Sequence, residues 1–241
     1  DMADLVHLSN PDPTTGARMS DRLAAVRQMH EQYGDSVPVM GWVEGALAEA
    51  ADLRGVGTLM MDLIDHPDFV RDLLSQCVEV EIAFAKAQVD AGAAIIGLGD
   101  AVASQISPQM YRRWALPYEQ QIFGAVREMG ALARLHICGN TTKLLPDMVR
   151  SGADIIDIDW MVPMGEAAAT FGSAAAVCGN MDPVSVMLQG TPVSVREATL
   201  GCLAAGGPRC FNAAGCEIPD GTPRANLDAQ IQALWDFGGR H

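Results

Sequence analysis

Short apolar runs alternate along the chain with longer stretches whose apolar residues recur every three or four positions. Six runs have the length and composition of strands buried on both faces. They are Val37 to Val43 (VPVMGWV), Ala94 to Asp100 (AIIGLGD), Ala131 to Cys138 (ALARLHIC), Ala153 to Asp159 (ADIIDID), Ala174 to Asn180 (AAAVCGN) and Arg209 to Gly215 (RCFNAAG). Between the first two, Phe69, Leu73, Leu74, Val78, Val80, Ile82 and Ala83 predict a helix over 68–91. Ser107-Pro108, Thr191-Pro192 and Thr222-Pro223 read as helix entries, with the hydroxyl residue as cap and proline in the first turn. Asp182 reads as a further cap. Gly92, Gly130, Gly152 and Gly206 stand where helices should stop. Leu59-Met60-Met61 and Cys178 are expected in the core.

Strands alternating with helices predict a parallel sheet with right-handed crossovers. No G-x-G-x-x-G follows a strand, which weakens a dinucleotide-binding fold and favours a (β/α)8 barrel. Such a barrel needs two more strands than the six found. Residues 1–36 read as an irregular lead-in followed by a helix from Arg18 to Tyr33. The expectation is one barrel domain over 1–241, with six βα units in 37–241, lacking one or two N-terminal βα units of a longer parent.

In a parallel architecture, chemistry sits beyond the carboxyl ends of the strands. Trp42, Glu44, Asp100, His136, Cys138, Asp157, Asp159, Cys178, Asn180, Cys216 and Glu217 gather there. His136 and Cys138 share one side of their strand, because residues i and i+2 point the same way. With Cys216 they would make an imidazole and two thiolates, a three-ligand zinc set that leaves a fourth position open. Spacing alone leaves equal room for the reading in which they are packing residues. Asp100 ends an otherwise apolar strand and is a candidate catalytic group. Asp159 is a second, able to orient His136 or ligate the metal. Trp42, Glu44, Asn180 and Met181 are candidates for cofactor binding.

Composition narrows the partners. Of 241 residues, 16 are basic and 30 acidic, a net charge of −14, which argues against nucleic acid and anionic membrane surfaces. No apolar run approaches a membrane span, and no secretory signal opens the chain. Six cysteines in a chain of this size read as reduced thiols in the cytoplasm.

Three segments carry a resemblance: HICGNTT (136–142), CGNMDPVSVMLQGTP (178–192) and AAGCEIPDGTPRANL (213–227). With GDAVASQISPQMYRRWALPY (99–118) and HPDFVRDLL (66–74), they resemble the uroporphyrinogen decarboxylase superfamily. More narrowly, they resemble its zinc-dependent corrinoid methyltransferase branch, the methylcobamide:coenzyme M methyltransferases. The resemblance implies a (β/α)8 barrel and zinc held by His136, Cys138 and Cys216. It also implies methyl transfer between a protein-bound corrinoid and a small thiol or a methoxylated substrate, at a wide barrel mouth lined by Trp42, Met181 and Met164. The alternative within the superfamily is a metal-independent decarboxylase acting on a tetrapyrrole. The fourth zinc ligand is open between water, Asp159, Asp100 and Glu44.

Overall fold

The structure, a computed structural model, describes residues 2–238. A 3-10 segment, Met2–His7, and helix α1 (Ala17–Tyr33) lead into strand β1 (Met40–Glu44). Helices α2 (Ala46–Arg54), α3 (Val56–Asp65) and α4 (Pro67–Asp90) then return the chain to β2 (Ile95–Gly99). After α5 (Pro108–Trp114) and α6 (Leu116–Glu128) comes β3 (Leu132–Ile137), and after α7 (Leu145–Met148) comes β4 (Ile155–Ile158). Helix α8 (Met164–Phe171) precedes β5 (Ala176–Met181), α9 (Pro192–Gly206) precedes β6 (Cys210–Ala214), and α10 (Arg224–Gly238) follows. Strand order is chain order, β1-β2-β3-β4-β5-β6. The chain forms two compact units. One comprises residues up to His136 with Arg150–Ala153; the other comprises Ile137–Val149 and residues from Asp154 onward.

In the first unit, β1, β2 and β3 run parallel, with Trp42, Gly97 and Arg134 in one row and Glu44, Gly99 and His136 in the next. The two glycines of β2 make room for a neighbour's side chain. A Cβ at Gly97 would fall 2.4 Å from Trp42 Cε3, and one at Gly99 would fall 2.9 Å from Trp42 Cζ2 and 3.1 Å from Glu44 Oε2. The indole therefore lies across β2, and Glu44 leans the same way.

The other edge of β1 is met by side chains of α4. Trp42 N–H donates to Gln88 Oε1 at 2.9 Å, and Gln88 Nε2 donates to Trp42 O at 3.0 Å. One level on, Glu44 N–H donates to Glu81 Oε2 at 3.3 Å. Helix α4 thus supplies the hydrogen bonds that another strand would make, which satisfies an exposed sheet edge. Leu47, Leu59, Leu74, Ile96, Leu98, Tyr111, Trp114 and Phe123 are fully buried and form the apolar interior of this unit.

In the second unit, β4 pairs with β5 and β5 with β6, all parallel. Met181, Met187, Val195 and Ala214 form a buried cluster against which Leu227 packs. Buried Asn226 ties α10 to this layer, its amide donating to Met187 O at 2.8 Å and Gly190 O at 2.9 Å.

The element boundaries differ from the sequence expectations in physical ways. Strand β1 begins at Met40, three residues later than the apolar run suggested, because pairing with β2 and not hydrophobicity defines it. Ser107, Thr191 and Asp182 cap as expected, Thr191 within a capping box. Thr222 does not: its hydroxyl donates backward to Pro219 O at 2.8 Å. Gly206 is the last residue of α9, and the left-handed position falls on Gly207, φ +71°. Leu59 is fully buried, but Met61 is 60 % exposed, since it lies on the outer side of α3.

Gln88→Ala should cost about 1–3 kcal/mol, because it strips the Trp42 N–H and C=O of their partners at a part-buried edge. Urea unfolding followed by circular dichroism measures the loss.

Candidate metal centre

Strand β3 ends in His136-Ile137, and Gly139 then takes φ +86°, a left-handed turn that glycine adopts without steric cost. Asp159, just past β4, fixes that turn: its Oδ2 accepts the Gly139 N–H at 2.7 Å, while Oδ1 accepts the Met161 N–H at 3.4 Å. From the other side, Gly215 brings the chain after β6 against β4. A Cβ at Gly215 would fall 2.2 Å from Trp160 N and 2.9 Å from the Asp159 carbonyl carbon, so the approach excludes any side chain. Cys216 is the next residue.

These constraints bring three donor groups together. One ligand atom each from His136, Cys138 and Cys216 lies within 4.8 Å of the others, and among the described residues this is the group of His, Cys and carboxylate side chains that could hold a metal. The two sulfurs stand 3.5 Å apart. That is far longer than the ~2.05 Å of a disulfide. It is close to the roughly 3.8 Å between two sulfurs each about 2.3 Å from a tetrahedral zinc. Two thiols and one imidazole form a borderline-soft set that suits zinc and not a hard cation. His136 is 9 % exposed and the two cysteines are half-buried, so the donors fit an ion with one position left for an exchangeable ligand.

The other candidates divide. Asp159 is buried and acts on the loop that carries Cys138 and Gly139. Asn180 pins the next loop, its amide donating to Val162 O and, at 3.4 Å, to Asp159 O. Met181 and Met164 are buried, Met181 in the apolar cluster of the second unit, where the Thr199 hydroxyl contacts its sulfur. The resemblance implies a lining role for both methionines; here both side chains are buried, Met181 beside Val195 of α9 and Met164 as the first residue of α8.

In the first unit, Trp42 and Glu44 line a cavity of about 320 Å3 with Met19, Arg22 and Phe84. Trp42 Nε1 donates to Glu44 Oε1 at 3.1 Å, and burial holds the Glu44 carboxyl above its ordinary range.

Asp100 is fully buried at the end of β2, and its N–H donates to His136 O at 3.0 Å, so it supports the backbone of the first ligand. Burial pushes its carboxyl up to about 7; the Ala48 N–H pulls it down and the Glu44 charge pushes it further up.

Two buried acids were not singled out in the sequence. Glu119 on α6 is fully buried and accepts the Tyr111 hydroxyl at 2.5 Å, and burial together with the Asp100 charge raises it well above the carboxylate range. Glu81 on α4 is pushed up to about 8 by burial, with the Glu49 charge adding to it. Both interrupt apolar helical stripes, Leu116-Glu119-Ile122-Phe123 and Leu74-Cys77-Glu81-Phe84. That interruption is the signal that marks them.

The folded chain holds a proton on Glu81 at pH values where the unfolded chain has lost it. It therefore binds more protons than the unfolded chain between about pH 4.5 and about 8, and its stability falls as pH rises through that window. Glu81→Gln should flatten the decline, measured as urea midpoints from pH 5 to 8.5.

Comparison with known proteins bears on the chain as a whole. The profile of the uroporphyrinogen decarboxylase (URO-D) family matches residues 1–237. The methylcobamide:CoM methyltransferase MtbA of Methanosarcina mazei is 36 % identical over 238 residues, covering 98 % of this chain and 69 % of that protein. MtbA of Methanosarcina acetivorans is 34 % identical, covering 89 % of this chain and 63 % of that protein. A solved structure of a methyltransferase from Methanosarcina mazei superimposes with a TM-score of 0.90 at 27 % identity, covering 98 % of this chain and 69 % of that one. The chain thus spans about two thirds of the length of these relatives. Its fold is the parallel-stranded α/β type of that structure, as the alternation of strands and helices predicted.

Proposed function

Since the chain belongs to the uroporphyrinogen decarboxylase family, we propose that it is a zinc-dependent methyltransferase moving a methyl group between a methylcobamide and a small thiol or methoxylated substrate. The observation that carries this reading is the approach of His136, Cys138 and Cys216 to one point. Zinc at that point would lower the pKa of a bound thiol, or polarise a methoxy oxygen, without redox change. The chain's own residues do the positioning. Asp159 holds the turn after Cys138, Gly215 delivers Cys216, and Asp100 bonds the carbonyl of His136. The half-buried cysteines leave the donor cluster open on one side for a substrate sulfur or oxygen.

The relatives are named methylcobamide:CoM methyltransferases, which supports a methylcobamide as the second substrate; that a carrier protein presents it is part of the same proposal. No helix among the described residues is long and apolar enough to cross a membrane, and six cysteines outside any disulfide suit the reducing cytoplasm. A tetrapyrrole decarboxylase gives the three donors no task; that reading would require turnover of a porphyrinogen that a chelator leaves untouched.

Purified chain should carry about one zinc by plasma mass spectrometry. Cys216→Ala should lower zinc affinity by more than the roughly 10- to 100-fold that loss of an outer-shell partner causes, and Asp159→Ala should fall within that range. Transfer from methylcobalamin to a small thiol should follow zinc content through these variants. Full zinc occupancy in Cys216→Ala would overturn the ligand assignment.

A further inference from the structure

The turn after β4 holds two large apolar side chains in water beside the donor cluster. Trp160 is 45 % exposed and Met161 46 %. A single exposed apolar residue means little, but this turn is fixed on every side. Val162 N–H donates to Asp159 O at 3.0 Å, Met161 N–H donates to the Asp159 carboxylate, and Asn180 donates to the carbonyls of Asp159 and Val162. Gly215 packs on the Trp160 amide, and Val162 between the exposed pair and the core is buried. The backbone of the turn is therefore held, and the two side chains stand exposed on it. Ile218, two residues past Cys216, is exposed as well. Residues 160–164 (WMVPM) carry no charge in a chain of net charge −14. An aromatic side chain on a rigid support loses little entropy when a ligand covers it.

We propose that Trp160 and Met161 form the seat for the face of the corrin ring. This rests on the function proposed above and names how that site takes its larger substrate. A methyl group at the centre of a flat macrocycle reaches the donor cluster only if the ring lies over it, and the ring then covers the residues alongside. Those residues are an indole on a held backbone and a thioether without charge, which suit the apolar face of a ring. A small thiol at the cluster has no need of them. Any protein carrying the corrinoid would approach over the same turn.

The test is equilibrium dialysis of methylcobalamin against the zinc-loaded chain. Trp160→Ala should weaken binding about threefold to tenfold, the range expected for loss of one aromatic stacking partner, and Trp160→Phe should keep most of the affinity. Trp235→Ala, on exposed α10, should change nothing. Zinc content and thiol affinity should be the same in Trp160→Ala as in the unaltered chain. Unchanged methylcobalamin affinity in Trp160→Ala would overturn the seat. Parallel loss of zinc or thiol binding would also overturn it, by making Trp160 a support of the metal loop. If the zinc-loaded chain takes up thiol but no methylcobalamin, the seat fails while the metal reading stands. If the chain takes up no zinc, the proposed function fails with it.

Discussion

The donor cluster depends on how closely the chain after β6 can approach the end of β4. Cys138 and Cys216 are 78 positions apart in sequence, yet their sulfurs stand 3.5 Å from each other. That separation is reached because Gly215 lies against the Asp159–Trp160 peptide, where a single methyl group would collide. The same peptide carries the carboxylate that holds the Gly139 turn. One backbone contact therefore sets the position of one cysteine, and one side chain on the same segment sets the loop of the other. Because both act through β4, the distance between the thiols is fixed by the sheet and not by the flexible loops.

Buried acidic residues crowd the first unit, and three of them make hydrogen bonds that support the fold, Asp100 through its backbone. Glu81 accepts the amide that an edge strand would otherwise leave unpaired, Asp100 donates its amide to the His136 carbonyl, and Glu119 accepts the Tyr111 hydroxyl. Desolvation favours the protonated form of all three side chains. For Glu81 this is stability that is lost as pH rises toward about 8.

Much of this was legible in the chain. The six apolar runs became the six strands, and H-x-C at the end of one of them, with the distant Cys216, named three residues whose donor atoms the structure brings within 4.8 Å of one another. The two-residue period of a strand is a strict geometric rule, which is why His136 and Cys138 could be paired from spacing. The burial of Met181 and Met164 was not legible, because position along the chain does not say how a neighbouring helix packs on a side chain. Asn180 and Asp159 stood out as polar strand-end residues, but their partners are main-chain groups of distant loops, which no local pattern encodes. Glu81 and Glu119 were readable in principle as acids inside apolar helical stripes. Gln88 shows the limit: its use is to pair with a strand edge, and that becomes visible only once the register of β1 and β2 is known.

X-ray absorption at the zinc edge tests the central claim most directly. For zinc-loaded chain, His136, Cys138 and Cys216 predict a first shell of two sulfurs at about 2.3 Å and one imidazole nitrogen at about 2.0–2.1 Å, with a light atom completing four. A shell of oxygen and nitrogen alone would contradict the account, since it would place the metal away from the two cysteines that the fold brings together.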